Sequence, residues 1–321
     1  MTEGSQRPQA MPIPRDFDLR PLARPEMTER GSRRFFDGAQ SYLGLQYAAP
    51  PGFRPLLLDL HVPDRSAALP VPVVVYAHGG GFLGGSREMG PWAFLLDAGY
   101  AVASVDYRLS GECPFPGPVQ DVAAAVRWVR THAREYRLNV DRVVGFGSSA
   151  GGYLMAAIAL ITDPDILGDL GPTPEESSRL AAVVDHYAPT DFVRMDEDAP
   201  PDVVELADAP GSSATRFLGF IPCENPAEAD CATVWRYAGP GSPPFLIAHG
   251  DADHRVGIGQ SRRLHEALTS AGVRAELVVL PGADHGGPEF DAPALHQTTL
   301  RFLESVVGRP APAGEKEDAA R

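Results

Sequence analysis

The chain has 321 residues, 44% hydrophobic and 22% charged, with a formal net charge of −14 and an isoelectric point near 5.0. That is enough apolar material for one large α/β core, and so acidic a balance repels phosphate backbones, which argues against a nucleic-acid partner. Cys113, Cys223 and Cys231 have no metal-ligand spacing and read as free thiols of a reducing, cytoplasmic compartment; no apolar leader segment opens the chain and no apolar run reaches about 18 residues, so neither a signal peptide nor a membrane span is expected.

Residues 1–40 are rich in Pro and Arg and are expected to form a loose arm, with a short helix near Pro21–Arg30. "YLGLQYA" and "PLLLDLHV" alternate apolar and polar residues, as half-buried antiparallel strands do. "VPVVVYAH" (71–78) is a continuous apolar run, the pattern of a strand covered on both faces. A helical stretch around Pro91–Ala98 precedes the strand "AVASVDY" (101–107). The spacing of Val122, Ala125, Val126 and Val129 predicts a helix over 118–136. A strand at 142–146, a helix at 151–161, and strands at 181–187 and 244–250 follow. A helix at 259–272, a strand at 275–282 and a last helix near 294–307 complete the series. Such alternation implies a mostly parallel sheet with helices on both faces.

Residues 190–235 interrupt this rhythm with Pro, Asp and Ala, and are expected to be an insertion over the active face, a lid or pocket element. Residues 309–321 read as a disordered tail. The expected organisation is therefore an arm (1–40), one α/β domain (41–308) containing the insertion, and the tail.

"RVVGFGSSAGGYLMA" (142–156) fits two fingerprints. Gly145-Phe146-Gly147-Ser148-Ser149-Ala150 matches G-x-G-x-x-G/A, a phosphate-binding turn. Gly147-Ser148-Ser149-Ala150-Gly151 matches G-x-S-x-G, a strained strand-to-helix turn that presents a nucleophile. The phosphate turn needs an acidic strand end roughly 20 residues on. Here the next strand-like segment ends at Asp185, much too far along. The nucleophile turn needs small residues two positions either side. Ser149 has Gly147 and Gly151 there; Ser148 has Phe146 and Ala150, and Phe does not fit. Ser149 is the candidate nucleophile.

His78-Gly79-Gly80-Gly81 follows the buried strand. A Gly-rich loop can turn backbone N–H groups toward a developing oxyanion. The candidate donors are Gly79 or Gly80, with Ala150 after the nucleophile. His78 and Gly81 support the loop, His78 by a hydrogen bond rather than by proton transfer. A serine hydroxyl needs a base, and the base an orienting carboxylate, in the chain order Ser, acid, His. His285, in a Gly-flanked loop after a strand, is the candidate base, with His254 as rival. Asp253 is the preferred acid, with Asp251 in the same loop as the alternative. Asp284 and Glu289 lie too near the base in sequence for easy alignment. His249-x-Asp251-x-Asp253-His254 also has the look of a zinc-ligand run, but it lacks further His ligands, so no metal is expected.

With these residues in place, the chain resembles the α/β-hydrolase superfamily, in the esterase/lipase group carrying HGGG and G-x-S-A-G-G motifs. "VDYRLSGECPFPGPVQDVAAAVRWVR", "PPFLIAHGDADHRV" and "LPGADHGG" extend the likeness across about residues 42–307. "HGGGFLGG" is similar to the hormone-sensitive-lipase branch, which usually has Asp where Ser148 stands. The acid loop is closer to the acetyl-xylan and feruloyl esterase-like branch. The resemblance implies an α/β-hydrolase fold and a serine carboxylic-ester hydrolase with a Ser149–Asp253–His285 triad and no cofactor. The expected substrate is a small-molecule ester of small or medium acyl chain. An amidase, peptidase or formamidase using the same triad, and a binding protein on a dead hydrolase scaffold, are the alternatives. Phe82 and Tyr187 are the candidate pocket residues. Monomer and homodimer are both left open.

Overall fold

The structure, a computed structural model, describes residues 36–64, 70–308 and 310. The helix expected near Pro21–Arg30 and, apart from residue 310, the tail at 309–321 lie outside the described residues.

The elements, in chain order, begin with β1 (Ala39–Ala48), β2 (Leu56–Pro63), β3 (Val71–Ala77), α1 (Phe94–Asp97), β4 (Ala101–Val105) and α2 (Gly117–Thr131). Next come α3 (Ala133–Tyr136), β5 (Leu138–Ser148), α4 (Ala150–Leu160), α5 (Pro164–Leu167), β6 (Ala182–His186), α6 (Ser213–Leu218) and α7 (Pro226–Asp230). The series ends with β7 (Phe245–Gly250), α8 (Gly259–Ser270), β8 (Ala275–Leu280) and α9 (Pro293–Val307). The strands form one eight-stranded sheet in the order β1-β2-β4-β3-β5-β6-β7-β8. β1, β2 and β4 pair antiparallel, and every other pairing is parallel. This is the α/β-hydrolase architecture.

Strand alternation divides the core into two layers. Val73, Val75 and Ala77 of β3 face one cluster, built on α2 and α4. Val74 and Tyr76 face the other, with Trp92, Phe146 and Phe302. Both faces are covered, which is why β3 reads as an unbroken apolar run. α4 is buried on every side except at Ala159, so it has no polar face to display.

The helix expected over 118–136 is broken at His132 into α2 and α3. The His132 ring stacks on Trp128 at 4.1 Å, and its Nδ1 bonds the Trp128 carbonyl at 2.9 Å. A side chain competing for a ladder carbonyl at a helix end favours such a break. β5 is longer than expected because its first residues pair with Val71 and Pro72 before a register shift.

The stretch between β6 and β7 holds α6, α7 and two 3-10 turns, Pro222–Glu224 and Val234–Tyr237. It is tied down at its base. Gln260 of α8 accepts from the Thr190 and Asp191 N–H groups at 2.7 Å, and Arg263 pairs with Asp198 at 2.7 Å. Phe192, Ala214 and Phe217 join the core layer that contains α2 and α4.

Candidate active site

The parallel strands end at one edge of the sheet, and the loops there build the site. β5 turns into α4 at Ser149, whose backbone has φ 54° and ψ −119°. A non-glycine residue held there stores strain, of order 1–3 kcal/mol. Two constraints hold the turn. The Ser149 N–H donates to the His186 carbonyl at 2.7 Å. α4 also crosses so close to β5 that a Cβ on Gly147 would overlap the Gly151 backbone, and one on Gly151 would overlap the Ala77 carbonyl.

Ser149 Oγ lies 2.8 Å from His285 Nε2, and His285 Nδ1 lies 2.7 Å from Asp253 Oδ2. His285 comes from the loop after β8 and Asp253 from the loop after β7. Asp253 Oδ1 accepts from the Arg255 and Val256 N–H groups, both at 2.8 Å. Burial alone would raise the Asp253 pKa, but hydrogen bonds and charge from His249 and His285 outweigh it and hold the carboxyl below its ordinary range. It therefore stays ionised and acceptor-only, as a partner to Nδ1–H must be.

The other candidates in these loops turn elsewhere. Asp251 Oδ1 accepts from the Gly282 N–H at 2.6 Å. His254 pairs with Asp202 and Asp284 at 3.3 and 3.2 Å. Asp284 Oδ1 also accepts from the His285 N–H at 2.7 Å, so it shapes the His285 loop. His249 is fully buried, bonded to Ser261 Oγ at 2.6 Å and the Val256 carbonyl at 2.8 Å. Of the zinc-like run, Asp251 and His254 turn to other partners, and among the described residues no three His, Cys, Asp or Glu side chains converge as a metal site would need.

His249 has a place that sequence reasoning missed. Its Nε2 sits 3.2 Å from Asp253 Oδ2, the same oxygen that His285 Nδ1 contacts, and so braces the carboxylate. The signal was the spacing of His249 and Asp253 around a strand end, read only as part of a metal pattern.

The His78–Gly81 loop lies directly against the turn. A Cβ on Gly79 would come within 3.0 Å of the Ser148 carbonyl. Gly80 and Gly81 have φ 126° and 60°, backbone conformations that glycine adopts without strain. Among the described residues, neither the Gly79 nor the Gly80 N–H donates to a backbone carbonyl. Ala150 opens α4, so its N–H precedes the helical ladder. His78 Nδ1 bonds the Gly79 carbonyl at 2.7 Å, and its ring stacks on Tyr107 at 4.4 Å. The Tyr107 hydroxyl donates to the His78 carbonyl at 2.9 Å. Burial lowers the His78 pKa, so the ring is a neutral strut.

A cavity of about 220 Å³ opens between these loops. Phe82 lines it, buried and stacked on Phe217 at 3.8 Å. Tyr187 lines it too, its ring edge-on to His285 at 4.6 Å. The cavity also takes in Tyr76, Ser148, Phe192 and Glu205, which sequence reasoning did not single out as pocket residues. Glu205 accepts from Ser213 N and Oγ, both at 2.9 Å, over the Gly81 end of the loop. No short-range pattern links these positions.

A mostly parallel sheet with a strained serine turn, a glycine loop beside it and a histidine loop after the last strand defines an α/β-hydrolase of the esterase/lipase group. The chain belongs to the BD-FAE family, whose model matches residues 58–268. It is 41% identical to esterase LipI of Mycobacterium tuberculosis over 256 residues, covering 76% of this chain and 74% of LipI. It is 28% identical to esterase LipC of the same organism over 278 residues, covering 78% of this chain. It spans only 65% of the length of LipC. Among solved structures, it is similar to the butyrate-bound esterase Est2 of Thermogutta terrifontis, with a TM-score of 0.68 and 26% identity. That match covers 87% of this chain and 97% of Est2. Among the described residues, no helix is long and apolar enough to cross a membrane.

Proposed function

We propose that the protein is a serine carboxylic-ester hydrolase. The observation that carries this reading is the unbroken hydrogen-bonded line from Ser149 Oγ through His285 to Asp253, opening on the Gly79–Gly80 loop. His285 Nε2 takes the Ser149 proton as Oγ bonds the ester carbonyl carbon. The carbonyl electron pair moves to oxygen, where the N–H groups of Gly79 or Gly80 and of Ala150 receive the charge. The intermediate collapses and the carbon–alkoxy bond breaks. His285 returns the proton to the departing alcohol, leaving an acyl-Ser149. Water then gives a proton to His285, attacks the acyl carbon, and releases the acid with Ser149 restored. Asp253 holds Nδ1–H, sets the tautomer, and stabilises the imidazolium at each transfer. Every proton and electron pair is carried by these residues, water and substrate.

Residues 190–235 act in this reading as a pocket wall and lid over a single α/β domain. A cavity of about 220 Å³ is small for a ligand site, which favours short acyl chains. Esterase LipI and the butyrate-bound Est2 support the reaction type and a short acyl group. Ser149→Ala is expected to reduce turnover of p-nitrophenyl acetate by roughly 10⁴-fold or more, since such residues act as a unit. Near-normal turnover in that variant would end the reading.

A further inference from the structure

Ser148 has no part in the mechanism above, yet it stands beside the nucleophile on the cavity wall. Alternation along β5 puts Phe146 and Ser148 on one face. Tyr76 is the register partner of Phe146 on β3 and lies in the same core layer. Its ring meets Phe146 edge-on at 5.1 Å, and its hydroxyl donates to Ser148 Oγ at 3.1 Å. Both side chains are buried and both line the cavity. Burial raises the Tyr76 pKa, so the phenol stays protonated and able to donate. A serine hydroxyl has one hydrogen of its own to give. Among the described residues, Ser148 Oγ has a donor in Tyr76 and no acceptor for that hydrogen.

The wall that carries this donor can be matched to a part of the substrate. It runs past Tyr187, whose ring packs against His285. His285 is the group that protonates the departing alcohol, so the alcohol lies on this side. Phe82, Phe192 and Ala214, which also line the cavity, belong to the other core layer. An alkyl alcohol would leave the Ser148 hydrogen buried without a partner, which is unfavourable. An alcohol with a second oxygen would satisfy it. Resting on the ester-hydrolase reading, we propose that Ser148, oriented by Tyr76, is a specificity-determining residue that donates a hydrogen bond to a second oxygen of the leaving alcohol. The favoured substrates are then esters of hydroxylated or ether-bearing alcohols over esters of plain alkanols.

The test compares 2-methoxyethyl acetate with butyl acetate, which differ by one oxygen in place of a methylene. kcat/KM is measured for both by proton release, and their ratio is divided by the ratio of their hydroxide-catalysed rates, which removes the leaving-group effect. The wild-type protein is expected to favour the methoxyethyl ester by about tenfold on this scale, one hydrogen bond's worth. Ser148→Ala is expected to bring the corrected ratio to about one, and Tyr76→Phe to lower it part of the way. A wild-type corrected ratio near one, or a Ser148→Ala ratio equal to the wild type, overturns the proposal. If Ser148→Ala does not fold, the wild type and Tyr76→Phe decide it, an unchanged ratio in Tyr76→Phe counting against it. Inertness toward both esters together with no fluorophosphonate adduct at Ser149 would instead overturn the underlying reading, and the proposal with it.

Discussion

Two regions meet at the cavity and are built on different principles. At the corner where β3 and β5 end, the backbone is strained and the packing allows no side chains: Ser149 sits at φ 54°, and Gly147 and Gly151 have no room for a Cβ. Across the cavity, the stretch from β6 to β7 has short helices and aromatic stacks, with Phe82 on Phe217 and Phe192 packed beside them. The corner admits few residue types at each position, so its chemistry is written in short motifs. The facing wall is held by pairs far apart in the chain, and many combinations of apolar residues would fill the same space. Reaction type should therefore respond to changes at the corner, and acyl preference to changes in the wall.

The corner also carries an energetic cost that can be measured. Asp185, on β6, is fully buried beneath α4, where a Cβ on Gly152 would stand 2.6 Å from its Oδ1. Its Oδ2 has no partner among the described residues. Burial pushes its pKa up to about 7, against the lowering effects of His249 and the Ala188 N–H. Below the ordinary carboxylate pKa, folded and unfolded chains are both protonated and nothing is lost. As pH rises from about 4 to about 7, only the unfolded chain ionises, and stability falls by about 1.4 kcal/mol per unit, about 4 kcal/mol in all. Asp185→Asn should remove that slope. Denaturant midpoints taken across this range would show it, and parallel pH profiles for the two proteins would count against the assignment.

A smaller effect is expected at His249, which shares the Asp253 Oδ2 atom with His285. Loss of a hydrogen bond to a charged group corresponds to about 10- to 100-fold. His249→Asn should lower kcat/KM by that much in a protein that still melts cooperatively. Unchanged kinetics would mean that the backbone N–H groups of Arg255 and Val256 position Asp253 without it.

The smallest effect belongs to the wall. Phe192→Ala should raise the ratio of octanoate to acetate ester turnover by about fivefold or more, since each methylene accommodated is worth 1–3 kcal/mol. The rate of a small fluorophosphonate reacting at Ser149 should change much less. A mutant that lost reactivity with no change in acyl preference would break the division between the two regions.

The same division governs how much could be read in advance. Unbroken apolar runs such as "VPVVVYAH" disclosed parallel strands because both sheet faces are covered. Phe146 points to Ser149 over Ser148 as the residue of the turn because the turn tolerates no bulk at the flanking positions; the strained backbone is at Ser149, and Phe146 lies in the opposite core layer, away from α4. His285 and Asp253 meet because both follow strands at the same sheet edge, a placement the strand pattern carries. The link between Tyr76 and Ser148 spans 72 positions and was invisible. Glu205 over Ser213 lies in a stretch with no periodicity. The break at His132 depends on a ring competing for one carbonyl, which apolar spacing does not register.

The strained turn should present Ser149, not its neighbour, as the nucleophile. Reaction of the wild-type protein with a fluorophosphonate, followed by mass mapping of the adduct, tests this most directly. A single adduct on Ser149, lost in Ser149→Ala and kept in Ser148→Ala, is the predicted result. An adduct on Ser148, or no adduct at all, would contradict it.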